Sequence, residues 1–188
     1  MSSINIECAE DVPAADIDLV IATDNCIYPL TITHVGDVTD GLSCPETITR
    51  TYRATDECGN KVSTSAKFII VDTTPPTIDT EATNSTVECD GSGNTTQLNA
   101  WLNSFAGATA SDNCGVTITW ANDFTALSDL CAETGTALVT FSATDDCGNT
   151  ALTSASFTIV DTTPPTIDIA ASDITVECDG SGNITEYN

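Results

Sequence analysis

The sequence predicts an all-β chain of tandem immunoglobulin-like sandwich repeats, each about 89 residues long, with one short helix inserted in the second repeat. Three observations carry this: a long self-match at fixed offset, short runs of strict apolar/polar alternation, and cysteines that recur in sets of four. Val71-Asp-Thr-Thr-Pro-Pro-Thr-Ile-Asp79 returns as Val160 to Asp168, 89 residues on. Thr55-Asp-Glu-Cys-Gly-Asn60 returns as Thr144 to Asn149, and Val87-Glu-Cys-Asp-Gly-Ser-Gly-Asn94 as Val176 to Asn183, at the same spacing. Thr23-Asp-Asn-Cys26 matches Ser111-Asp-Asn-Cys114 at 88.

The repeat sets the organisation. Ser2-Ser-Ile-Asn-Ile-Glu-Cys8 lines up with Ser172-Asp-Ile-Thr-Val-Glu-Cys178, so each repeat opens on a strand that ends in Glu-Cys. Residues 1–71 are expected to form a first β-sandwich repeat, 72–77 a Pro-Pro linker and 78–160 a second repeat. Residues 161–166 then form a second Pro-Pro linker, and 167–188 the truncated start of a third repeat. The chain reads as a cut from a longer array, and the opening residues lack a signal-peptide pattern. Adjacent prolines at Pro75-Pro76 and Pro164-Pro165 favour extended, semi-rigid linkers, hence a rod.

Within the second repeat, Val116, Ile118 and Trp120 alternate with threonines, the period of a half-buried strand. Ala137, Val139, Phe141 and Ala143 alternate likewise, as do Ala155, Phe157 and Ile159. Asp145-Asp-Cys-Gly-Asn149 between those runs predicts a hairpin turn, with Gly148 free to take positive φ. Leu98, Trp101, Leu102 and Phe105 fall on one helical face, with Asn94 or Thr95 as N-cap and Gly107 past the end. The matching stretch of the first repeat is shorter, so the helix is a lid on the sandwich and not its frame.

Nine cysteines without a CxxC pair read as disulfides in an oxidising compartment and not as a zinc site. Each full repeat holds four, which allow three connectivities. Sandwich topology places the second and fourth at one pole, and the first and third at the other. It therefore favours Cys8–Cys44 and Cys26–Cys58 in the first repeat, and Cys89–Cys131 and Cys114–Cys147 in the second. Each bridge would close a loop of roughly 30–40 residues, worth about 3–4 kcal/mol in loop-entropy terms. Cys178 is left unpaired.

Charge excludes several functions. The chain has 28 acids against 4 bases, for a formal net charge of −24, and all four bases lie between Arg50 and Lys67. Nucleic acid and anionic membrane are poor partners for such a surface, and no stretch is apolar enough for membrane insertion. Enzymatic chemistry has no constellation to rest on: His34 is the sole histidine and has no counterpart in the second repeat. No catalytic residue and no required cofactor are expected.

Thr-Asp-Asn-Cys, Ala-Thr-Asp-x-Cys-Gly-Asn and Val-Asp-Thr-Thr-Pro-Pro together resemble the HYR-like repeats of Bacteroidota cell-surface proteins, most closely those of SprB-type gliding-motility adhesins. That resemblance spans the chain. It implies a long secreted surface protein, exported by the type IX pathway, that serves as a structural spacer or in cell adhesion. Asp72-Thr73-Thr74 and Asp161-Thr162-Thr163 are also similar to Bacteroidota O-glycosylation sites, with Thr73 and Thr162 as acceptors, although the same residues shape the turn into Pro-Pro.

The candidate site is acidic. Asp112, Asn113, Asp145 and Asp146 are expected at one pole of the second repeat, facing the linker that carries Asp72 and Asp79. Clustered hard oxygens at a junction suit calcium, which takes 6–8 of them. The competing reading is that these residues are turn formers. A carbohydrate-binding or accessory module of a secreted protein is the alternative function. Trp101 and Trp120, however, fall on apolar faces and read as core, leaving Tyr28 and Phe124 as possible platforms. The partners expected are neighbouring repeats of the same chain, and extracellular surfaces or polysaccharide.

Overall fold

A computed structural model of the chain describes residues 4–26, 28–128, 134–178 and 180. It is built of β-sheet with one helix. In the first repeat, β1 (Ile4–Ile6), β2 (Thr31–Thr39), β3 (Glu46–Thr55) and β4 (Lys61–Ile70) form a four-stranded sheet in the order β1-β4-β3-β2. β1 runs parallel to β4 and the other neighbours are antiparallel. Alternation along β3 and β4 turns Tyr52, Ala54, Phe68 and Ile70 inward, where all are buried. The layer facing them is irregular. Residues 9–26 cross the sheet with single 3₁₀ turns at Ala9–Asp11 and Ile17–Leu19, and the Asp16 N–H donates to the Tyr52 hydroxyl at 3.3 Å.

Arg50 ties this cover to the sheet. Its buried guanidinium donates to both carboxylate oxygens of Asp37, at 2.9 and 2.8 Å, and to the Pro13 carbonyl at 2.7 Å. It also lies over the Phe68 ring, 4.9 Å from the centroid. A buried cation needs such complete pairing, because leaving water without it costs several kcal/mol.

The second repeat contains β5 (Thr77–Thr80), β6 (Ser85–Glu88), α1 (Thr95–Asn103), β7 (Thr109–Ser111), β8 (Thr119–Asn122), β9 (Gly135–Thr144) and β10 (Thr150–Val160). A four-stranded sheet, β6-β10-β9-β8, repeats the frame of the first, again with a parallel β6/β10 pair at one edge. β5 and β7 form a separate two-stranded sheet. The alternating residues of β9 and β10 point inward as expected: Val139, Phe141, Ala143 and Phe157 have no exposed surface. α1 lays Leu98 and Trp101 on that face. Trp101 meets Phe141 edge-on, and its indole N–H donates to the Thr83 carbonyl at 3.0 Å. Phe105 stacks on Trp120, with centroids 5.2 Å apart. Both tryptophans are therefore used in packing.

Three local readings are refined. Asn94 does precede the helix, but in a left-handed conformation with no capping bond from its side chain. Its amide instead bonds Glu88 O and Asp90 N. The strand expected from Val116 begins only at Thr119, although exposure already alternates along 116–118. The 145–149 hairpin turn forms, with Gly148 at φ 89°. Residues 161–178 contain no strand.

Hydrogen bonding to Arg50 holds the Asp37 carboxyl at a pKa of about 2, below its ordinary value of about 3.9. A depressed carboxyl stabilises the fold above its unfolded value, and that contribution disappears as pH falls towards about 2. Asp37→Ala is expected to destabilise the first repeat by roughly 2 kcal/mol in urea unfolding at neutral pH. This is less than for a fully buried pair, because the Asp37 side chain keeps 33% of its surface. The difference from the parent should shrink at pH 2.

Candidate cation site at the inter-repeat joint

Sheet register decides which residues reach the joint. Ile6 of β1 and Glu46 of β3 both pair with Ile70 of β4, so Cys8, Cys44 and Asp72 leave the first sheet at the same end. In the second repeat, Thr119 and Thr150 both pair with Thr144, which puts the 145–149 turn at that sheet's end. Ser111 pairs with Thr77 where the linker enters, which brings Asp112 to Cys114 beside it.

Two disulfides close this joint. Cys8 bonds Cys114, with Cα atoms 5.0 Å apart, and Cys44 bonds Cys147, at 5.2 Å. Both spacings are ordinary for disulfides. The within-repeat pairing is thereby corrected. The Cys8–Cys44 and Cys114–Cys147 bridges do not form, and Cys26 and Cys58 are exposed free thiols. Cys89 is also a free thiol, Cys131 lies outside the described residues, and Cys178 is free and exposed. Cys8 and Cys44, the first and third cysteines of the first repeat, do share a pole, as topology implies. They bond across it because the facing pole offers another pair at bonding distance.

Asp72 is the buried centre of the joint, 5% exposed. Its Oδ1 accepts the Thr74 N–H at 2.9 Å, the turn-forming bond into Pro-Pro. Its Oδ2 is buried without a hydrogen-bond partner, and so is Oδ2 of Asp112. Ligand atoms of Asp72, Asp112 and Cys114 lie within 4.8 Å of one another. The sulfur of Cys114 belongs to a disulfide and is no thiolate, which leaves a pair of carboxylates. Burial is the main force pushing the Asp72 pKa above its ordinary value. The Thr74 bond opposes it, and the charges of Asp112 and Asp145 add to it.

Asp145 is also buried, but its oxygens are engaged within its own turn, accepting from Cys147 N, Asn149 N and Asn149 Nδ2. Asp79 accepts from the Ser111 hydroxyl, and Asp146 faces solvent. The Asn113 amide nitrogen lies 3.4 Å from both Cys8 and Cys114 sulfurs. Of the six residues expected at a calcium site, the structure thus brings Asp72 and Asp112 together with bare oxygens. Asp145 stands behind them as a charge, while Asp79, Asn113 and Asp146 have other roles or none.

Two joint residues escape sequence reasoning. Asn149 donates its amide to the Asp72 carbonyl at 3.0 Å, linking the turn to the linker. Glu7 accepts both the N–H and the hydroxyl of Thr73, at 2.9 and 2.8 Å. Their signal was the recurrence of Cys-Gly-Asn in both full repeats and of Glu-Cys at each repeat's first strand. Thr162 makes the same pair of bonds to Glu88. An O-linked sugar on Thr73 or Thr162 would remove the proton that each hydroxyl donates.

No family model and no curated protein matches the chain. Solved structures with similarity include human mucin-like protocadherin EC1-2, at 10% identity and TM-score 0.35, covering 85% of this chain and 95% of that one. The protocadherin GammaB4 extracellular domain aligns at 14% identity and TM-score 0.31, covering 85% and 31%. Protocadherin Gamma B2 extracellular cadherin domains 1-5 align at 15% and 0.29, covering 86% and 39%. The likeness is distant in both sequence and superposition.

Because ionised Asp72 is disfavoured in the fold, it subtracts stability as pH rises through its raised pKa. Asp72→Asn keeps the oxygen that caps Thr74 and places an N–H donor where Oδ2 now lies bare beside Asp112. In chelator at pH 7 this variant is expected to unfold at higher temperature than the parent, by about 1 kcal/mol or more. An unchanged or lower midpoint would show that the two carboxylates do not repel.

Proposed function

We propose that this chain is a structural spacer and adhesive segment of an extracellular repeat protein, a semi-rigid rod whose joints are fixed by disulfides and stiffened by calcium. One observation carries the calcium part of this reading: two buried carboxylate oxygens, on Asp72 and Asp112, face the joint without partners. Such groups need a proton or a cation, and at neutral pH a hard divalent cation suits oxygen donors. Asp72 and Asp112 would hold the ion, with Asp145 adding negative potential. The ion would neutralise local repulsion and lock the linker against the second repeat.

The rod reading is supported by two disulfides across one joint. Disulfides belong to oxidising compartments, which favours an extracellular setting. Surface export by the type IX route and a role in gliding rest on the repeat resemblance alone. The carbohydrate-binding alternative loses its best aromatics, since Trp101 is buried and Trp120 is covered by Phe105. Phe124 packs against the core, leaving Tyr28 exposed and isolated.

Thermal unfolding of the parent and of Asp72→Asn, with millimolar calcium or with chelator, tests the reading. Calcium should raise the midpoint of the parent and leave the variant unmoved. A parent indifferent to calcium, or a variant that responds equally, removes the ion from the joint. Magnesium serves as control, because it demands stricter octahedral geometry and gives up its water reluctantly.

A further inference from the structure

One face of the first sheet collects almost all the positive charge of a strongly acidic chain. Of its four bases, Arg50 is buried and engaged by Asp37 and the Pro13 carbonyl. The others are Arg53 on β3, and Lys61 and Lys67 on β4. Arg50, Tyr52, Ala54, Phe68 and Ile70 point into the core, so the period of two sends the odd-numbered positions of both strands to the outer face. All three cations stand there. None makes an ion pair among the described residues, although the chain has 28 acids. The outward positions of β3 and β4 contain no acid, and neither do Thr31, Thr33, Gly36 and Val38, which register beside them on β2.

Register gives the pattern. Arg53 pairs with Ser63 and Thr55 with Lys61, so the two cations are diagonal neighbours, about 7–8 Å apart. Lys67 pairs with Thr49, four residues further along the strand, or roughly 13 Å. Between them lie hydroxyls, of which Thr51 and Ser65 bond each other at 3.1 Å. Lys67 lines a shallow depression with Val38, Thr47 and Thr49, and Asp40 stands at its edge. Asp40 and, at the other end of the strands, Asp56 accept N–H protons within their own turns. The second repeat shows that the cations are not required by the fold. At an offset of 89 it has Ser142, Thr150 and Ser156 in their places, and no charge on the outward positions of β8, β9 or β10. Its outer face is open as well, with Leu138 and Leu152 being 73% and 62% exposed, so an open outer face belongs to the architecture.

We infer that the outer face of β2, β3 and β4 binds an acidic polysaccharide, whose carboxylates meet Arg53, Lys61 and Lys67 and whose hydroxyls meet the threonine and serine rows. The inference names a partner for the adhesive part of the proposed function and rests on that part, not on the calcium joint. Charge complementarity selects an anion, and the rest of the face selects its class. A protein partner is held by aromatic or large apolar anchors, whereas the outward aliphatics here are Val38 and Ile69. Single-stranded nucleic acid stacks its bases on aromatic side chains, and this face has none. Duplex DNA carries a charge about every 1.7 Å of axis, which a chain of net charge −24 repels. A polyuronate spreads its charge thinly along a hydroxyl-rich polymer. Beyond about 8 Å the remaining acids of the chain are largely screened at physiological salt. Recognition of this kind uses charge and hydroxyls and needs no aromatic platform.

Binding of the full chain to immobilised polygalacturonate tests this, in chelator, because calcium would bridge carboxylates of polymer and protein. Binding is expected at about 50 mM salt and should weaken steeply towards about 200 mM. Arg53→Ser, Lys61→Thr and Lys67→Ser together install the residues of the second repeat, and should abolish binding while leaving the thermal midpoint unchanged. The converse set, Ser142→Arg, Thr150→Lys and Ser156→Lys, should strengthen binding by adding a second face. A triple variant that binds polygalacturonate or neutral dextran as the parent does keeps the chain adhesive and overturns the face. A parent that binds neither polymer overturns the face and the adhesive reading together. Equal binding to polyglutamate or to single-stranded DNA overturns the polysaccharide assignment. Self-association of the parent that the same three substitutions remove overturns it in favour of a second copy of the chain.

Discussion

Two disulfides that cross one joint constrain everything else in the molecule. They close loops with sequence separations of 106 and 103 residues, each worth about 4–5 kcal/mol in loop-entropy terms if closed alone. The second adds less than the first, because one bridge already brings the other pair close. The stabilisation accrues to the arrangement of two repeats and not to either repeat alone. Each repeat therefore depends on its own core. The second achieves this with Phe141, Phe157 and Trp101 under a helix, and the first with a thinner cover pinned by Arg50.

The same constraint explains the uneven behaviour of the carboxylates. Asp40, Asp56 and Asp90 accept N–H protons within their own loops, while Glu7 and Glu88 hold the linker threonines Thr73 and Thr162, and the pKa values of all five fall accordingly. These groups stabilise the fold above their unfolded pKa values, and the contribution is lost as pH falls. Asp72 moves the other way, since docking the second repeat buries it beside Asp112 and Asp145. A chain with a net charge of −24 tolerates this arrangement because most of its charge remains in water.

Much of this was legible in the sequence, for identifiable reasons. Alternation at Val139–Ala143 and Ala155–Ile159 marked strands correctly, because a sheet with one buried face leaves no other register. The apolar stripe at Leu98, Trp101 and Leu102 marked the helix for a similar reason. Sandwich topology placed Cys8 and Cys44 at one pole of the first repeat, and Cys114 and Cys147 at one pole of the second. It could not say whether bonds run along a pole or across it, because repeated cysteines look identical in both cases. Topology orders residues along a sheet and is silent about the distance to a neighbouring domain. Asp79, Asn113 and Asp146 fit a calcium pattern by composition, yet the first two are engaged by local bonds that composition does not encode, and Asp146 faces solvent. The irregular layer of residues 9–26 was equally hidden, since a partly buried loop carries no period.

Three covalent connections now join the two repeats: the linker peptide, Cys8–Cys114 and Cys44–Cys147. A single linker permits bending and twisting, and one added bridge leaves a hinge about the line through the two connections. A third lengthens the row of ties. Cys44 precedes β3, whereas Cys8 follows β1 and Asp72 follows β4, and these strands lie side by side in the order β1-β4-β3, so the row opposes twisting and bending within the plane of the sheet. The three ties are thus spread across the width of the sheet. Tension along such a rod divides among three paths, and the Pro-Pro linker sets spacing without carrying the whole load. The cysteine framework is therefore better understood as a property of the joint than of the domain.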